Sequence, residues 1–134
     1  MKTSLHPRHL TVALALLLGV PALTLTSGCI VVAAGAGAGA VAYVRGDLNA
    51  TLEASLDLTV RASNRAVEKL QFAKVSETKD AMIANIVVRN AEDKKIEIHL
   101  ERASDNLTKV RIRVGVFGDE SLSMAVLEKI KEGI

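Results

Sequence analysis

The chain has 134 residues, of which 49% are hydrophobic and only 2% aromatic, with a single cysteine and a formal net charge of +2. That length allows one small domain with a modest core and excludes large multidomain enzymes. Charged residues are 24% of the total yet are absent from residues 10–44 and dense from Arg45 onward, so an apolar leader and a folded unit are separate parts.

Lys2 and Arg8 precede residues 10–25, an uncharged stretch rich in Leu, Val and Ala, which is the layout of a secretory signal. Pro21 interrupts this run well before the about 20 apolar residues that a membrane span needs. Leu25-Thr26-Ser27-Gly28-Cys29 resembles the lipobox of bacterial lipoproteins, in which small residues precede a cysteine that is diacylated and becomes the new N-terminus. The resemblance implies that Cys29 carries the lipid. It also implies the outer membrane, facing the periplasm, in a host with two membranes, because Ile30 is not the Asp of an inner-membrane retention signal. A lone cysteine after Ser-Gly has no internal disulfide partner, in keeping with this role. Several acyl chains, each contributing about 0.8 kcal/mol per buried CH2, would hold the protein to the membrane without a span.

Of the 17 basic residues, Lys2 and Arg8 leave with the signal, and the remainder equals the 15 acidic ones. A neutral mature chain argues against nucleic acid as a partner. Two Asn-x-Thr sequons, at Asn49 and Asn106, are chance matches in a bacterial lipoprotein.

Residues 30–42 read IVVAAGAGAGAVA, where many lipoproteins place a polar tether. Gly35, Gly37 and Ala40 half match a dinucleotide loop, but no βαβ unit is there to receive it. Gly35 and Gly39 form one G-x-x-x-G, a spacing that lets apolar helices approach in lipid. A small-residue spacer lying against the headgroups is the simplest reading. The expected organisation is residues 1–28 as signal peptide, 29–45 as the lipidated cysteine with a membrane-proximal segment, and 46–134 as a domain that folds by itself.

Within that domain Leu48, Ala50 and Leu52 alternate with polar residues, which predicts a strand. Leu56, Val60, Ser63, Val67 and Leu70 then fall at helical spacing opposite Asp57, Arg61, Arg65 and Glu68, giving one amphipathic helix over about residues 55–70. Four alternating runs follow. In residues 72–78 the pattern puts Ala73 and Val75 on one face and Lys74 and Ser76 on the other; in residues 81–89 Ala84, Ile86 and Val88 form the apolar side. The last two are the clearest, with Ile96, Ile98 and Leu100 against Lys95, Glu97, His99 and Glu101, and Val110, Ile112 and Val114 against Lys109, Arg111 and Arg113. Asp119 suits an N-cap, and Leu122, Val126, Leu127 and Ile130 make the stripe of a final helix. The expected fold is α+β, a two-layer sandwich in the order β-α-β-β-β-β-α, with both helices on one face of a mostly antiparallel sheet.

The lipobox cysteine, the AGAGAGAVAYVRG run, the amphipathic helix, Asn106-Leu107-Thr108 and the segment RIRVGVFGDE from Arg111 to Glu120 together resemble a family of small bacterial lipoproteins catalogued as a domain of unknown function. The resemblance implies an envelope location and an α+β domain, and brings no activity or catalytic residue with it.

Beyond the signal the chain keeps one histidine, His99, too little for a nucleophile-base arrangement. Glu97, His99 and Glu101 share one side of a strand, but zinc sites draw three or four ligands from several segments, and a solvated charged face explains them better. No metal and no cofactor is expected. Tyr43, Phe72 and Phe117 are too few to stack bases or sugars. Arg111 and Arg113, leading to a glycine-bounded turn and a helix start, are the candidate surface-binding residues, beside the plain reading as a strand-to-helix connection. The sequence thus points to a non-catalytic, lipid-anchored envelope protein that binds a protein partner or supports the envelope. The alternative is a carrier holding a small apolar ligand between helices and sheet, which requires a cavity of about 300 Å3 or more.

Overall fold

The computed structural model describes Val31, Val32 and residues 40–134. The elements are β1 (Val31–Val32), β2 (Val41–Val44), β3 (Asp47–Leu52), α1 (Leu56–Lys69), β4 (Ala73–Lys79), β5 (Ile83–Arg89), β6 (Lys95–Ser104), β7 (Leu107–Val114) and α2 (Glu120–Lys131). From β3 onward this is the predicted β-α-β-β-β-β-α order. All strands join one antiparallel sheet ordered β1-β2-β3-β7-β6-β5-β4. Helix α1 carries the chain from β3 to the far edge at β4, and successive hairpins then return it until β7 lies against β3.

The period-two pattern sets the packing. Ile96, Ile98 and Leu100 stand opposite Val114, Ile112 and Val110 in the β6–β7 register, and all six are at most 2% exposed. Because directly paired residues share a face, Ala84, Ile86 and Val88 of β5 and Leu48, Ala50 and Leu52 of β3 continue this apolar surface. Leu56, Val60, Ala66 and Val67 of α1 and Val126, Leu127 and Ile130 of α2 cover it. Each of the larger side chains contributes about 1.5–3 kcal/mol by leaving water. The result is the expected two-layer α+β sandwich with both helices on one face.

Caps fix where the helices begin. The Ser55 hydroxyl accepts from Leu58 N–H at 3.3 Å and the Asp119 carboxylate from Leu122 N–H at 3.0 Å, each satisfying a donor of the first turn. Thr108, within the expected family segment, is fully buried, and its hydroxyl donates to the Ala54 carbonyl at 2.8 Å. It ties the start of β7 to the β3–α1 loop.

Two regions differ from the pattern. The expected domain start at Gly46 lies inside a hairpin, since β2 pairs with β3 through Val41↔Ala50 to Val44↔Asp47. Val41 is 7% exposed and Tyr43 packs against the core. Arg45 and Gly46, at φ 53° and 88°, form the two-residue turn, where positive φ at both positions matches the twist of the flanking strands. The expected faces of β4 are also altered. Lys74, Glu77 and Lys79 pair with Val88, Ile86 and Ala84, with a bulge between Lys74 and Ser76, so charged residues occupy the core side of this edge strand while Ala73 lies on the other face and Val75 is exposed. Glu77 accepts from the Asn64 amide of α1 at 3.2 Å and Lys79 binds Asp57. Inward-pointing charges and a bulge on an edge strand oppose sheet-to-sheet aggregation.

Candidate functional site

The second face of the sheet is polar, and the strand register arranges its side chains in rows. Ala42, Asn49, Arg111, His99, Asn85 and Thr78 lie side by side across β2, β3, β7, β6, β5 and β4. The neighbouring row toward the β2–β3 turn holds Val44, Asp47, Arg113, Glu97 and Val87, and the one on the other side holds Thr51, Lys109 and Glu101.

Within these rows most charges are paired. Lys95 meets Glu97 at 2.6 Å, Lys109 lies 3.8 Å from Glu101, and Arg113 meets Asp47 at 2.8 Å. Glu97 and Glu101 are therefore answered by cations, and among the described residues no three His, Cys, Asp or Glu side chains converge. The His99 ring Nδ1 is 2.5 Å from the Asn85 amide oxygen, an arrangement in which the protonated nitrogen donates.

The two arginines singled out from sequence have different surroundings. The Arg113 guanidinium donates to the Asp47 carboxylate, to the Val116 carbonyl at 2.7 Å and to the Arg45 carbonyl at 3.3 Å. It thereby joins the β2–β3 turn to the β7–α2 loop and is occupied structurally. Arg111 makes no hydrogen bond or ion pair among the described residues and is exposed. It stands where two clefts meet. One, of about 250 Å3, is bounded by Ala40 and Ala42 of the β2 side, with Asn49, Thr51, His99 and Lys109; the other, of about 300 Å3, is bounded by Asp47, Asn85, Glu97, His99 and Arg113. His99 and Arg111 border both. Asn49, Asn85 and the small side chains of β2 are not among the binding residues expected from sequence, which are Arg111 and Arg113 alone. The alternation in β3 could have placed Asn49 and Thr51 on the face of Arg111, but pairing of β3 with the distant β7 carries no local signal. Cys29 lies outside the described residues.

The RIRVGVFGDE segment is a connection between β7 and α2. Gly118, at φ 85°, packs its backbone directly on Gly46. A family model described as "Protein of unknown function (DUF3568)" matches residues 11–133. The chain belongs to this family. The DUF3568 match covers the apolar leader, the glycine-rich run and the whole sheet as one continuous unit, and its description assigns no activity. A comparison with curated proteins returns no match to this DUF3568 chain.

Proposed function

We propose that the protein is a lipid-anchored, non-catalytic component of the bacterial envelope that uses the polar face of its sheet to hold an acidic group of a protein partner. The observation that carries the binding role is Arg111, a guanidinium at the junction of two clefts that has no partner among the described residues and stands among neighbours whose charges are already matched. A planar guanidinium binds carboxylate or phosphate through two parallel hydrogen bonds and is weakly hydrated for a cation. Asn49 and His99 on either side supply further polar contacts. The anchor rests on the lipobox-like run ending at Cys29, and lipid there would place the domain at the membrane, with the outer membrane as the favoured site in a two-membrane host. The alternative, an apolar carrier, is less well supported, because the layer between helices and sheet is filled by side chains such as Leu56, Ile98, Ile112 and Leu127 that are at most 1% exposed.

The test is site-directed photocrosslinking in intact cells. A crosslinking amino acid at Asn49 or Thr51 should capture a defined product that is absent when it replaces Glu128 on α2, and Arg111→Glu should remove that product. Equal capture from both positions, or no response to Arg111→Glu, would exclude the polar face as the binding surface. For the anchor, palmitate labelling and membrane retention should vanish in Cys29→Ala.

A further inference from the structure

At the corner of the sheet that carries the β2–β3 turn, three apolar side chains are exposed, and among them are the two most exposed large hydrophobics of the described residues. Phe117 is 93% exposed and Val116 77%, and Val44 is 48% exposed. They belong to one corner. The Val116 carbonyl is held by Arg113, which lies in the same cross-strand row as Val44, and a β-carbon on Gly46 would sit 2.6 Å from the Phe117 carbonyl oxygen. Tight backbone packing of Gly46 against Gly118 and the three bonds from Arg113 fix the loop, so an aromatic ring is presented outward on a rigid support. Exposed Arg45 adds a cation beside it.

The chain enters the sheet at this same corner. Val31 pairs with Ala42 and Val32 with Val41, so β1 runs antiparallel to β2 and its first residue is on the side nearer Val44 and the turn. Cys29 precedes Val31 by two residues in sequence, a reach of at most about 7 Å. An anchor on so short a lead holds this corner, and no other, against whatever the lipid enters.

We infer that Val116, Phe117 and Val44 form a membrane-seating tip, with Phe117 inserted among the acyl chains and Arg45 at the level of the phosphates. The occupant is the phospholipid surface itself. Aromatic rings with an adjacent cation suit the boundary between headgroups and chains, and a side chain that is buried against lipid has no reason to be covered by protein. The inference rests on Cys29 being the lipidated residue. It also sets the orientation of the domain: strands rise from the membrane, and the polar clefts face sideways.

The chain contains no tryptophan, so Phe117→Trp introduces a unique fluorophore at the tip. The full chain, isolated with its lipid and reconstituted into vesicles of phosphatidylethanolamine and phosphatidylglycerol, should show blue-shifted emission that is quenched at least twofold by brominated acyl chains. The same substitution at Met82, exposed at the other end of the sheet, should remain unshifted and unquenched. Palmitate labelling of the same samples tests the anchor separately. Labelled, vesicle-bound protein with an unquenched indole at position 117 overturns the tip while leaving the anchor standing; loss of labelling overturns both. A blue shift without bromine quenching assigns the tip to a protein contact, including a second copy of the chain, and also overturns the proposal.

Discussion

Alanine at the two glycines of the β7–α2 loop should separate backbone conformation from close packing. Gly115 has φ 65° with nothing within 4 Å of an added β-carbon, whereas at Gly118, with φ 85°, that carbon falls on the Gly46 Cα and 2.5 Å from both the Gly46 carbonyl oxygen and the Tyr43 hydroxyl. A left-handed conformation costs an L-residue about 1–2 kcal/mol, partly offset by about 0.4–1 kcal/mol from the reduced freedom of the unfolded chain. Gly115→Ala should therefore lose about 1 kcal/mol. Gly118→Ala carries the same conformational cost and must also push the β2–β3 turn away from the loop, an overpacking cost of about 1–3 kcal/mol, for a total of about 2–4 kcal/mol. Urea unfolding of residues 29–134 bearing Cys29→Ser, followed by circular dichroism, would give both differences at a common slope. Equal losses at the two positions, or a larger loss at Gly115, would show that the Gly46–Gly118 contact contributes nothing to holding the turn and loop together.

Three further outcomes are expected. A chain starting at Ala40 should unfold at higher urea than one starting at Gly46, by about 3 kcal/mol for the burial of Val41 and part of Tyr43; equal midpoints would mean that β2 is dispensable to the domain. Ile98→Ala should cost about 2–5 kcal/mol and His99→Ala less than about 1 kcal/mol, since the first is 1% exposed and the second lies on the polar face, and similar losses in thermal unfolding would show the strand phase to be wrong. The Asp80 carboxylate accepts from Met82 and Ile83 N–H at 2.7 and 2.8 Å, bonds that hold its pKa below the ordinary value. A lowered folded pKa means that this support is present above the usual carboxylate range near pH 4 and is lost as pH falls through the lower folded value, so Asp80→Asn should make the acid side of the stability profile shallower, and an unchanged slope would refute the assignment.

Where burial follows a strict local period, the fold can be read from the chain. Ile96, Ile98 and Leu100 between Lys95, Glu97, His99 and Glu101 determine both the strand and its inner face, and Asp119 marks the start of the last helix because capping is a local event. The sequence Val-Ala-Tyr-Val of β2 lacks that alternation: Ala42 and Val44 sit on the polar face without being polar, so the run resembles the small-residue segment before it. In β4 the bulge after Lys74 shifts the phase within seven residues, and the charges that result on the core side find partners on α1 that only the assembled domain provides. The candidate site was half legible. Arg111 and Arg113 could be placed on one face, but their opposite roles depend on Asp47, Val116 and Arg45, brought together by strands far apart in sequence.

The adjacency of β3 and β7 also fixes the order in which the protein becomes complete. Leu52 pairs with Thr108, and Asp47 with Arg113, so the N-terminal hairpin has no sheet to join until almost the entire chain has emerged. The four strands from β4 to β7 are connected by local hairpins and can associate early, whereas closing β3 onto β7 spans a long loop and is slow by the general dependence of folding rate on contact separation. The N-terminal hairpin of β2 and β3 is therefore the last part to join the sheet, after the strands from β4 to β7 have already come together.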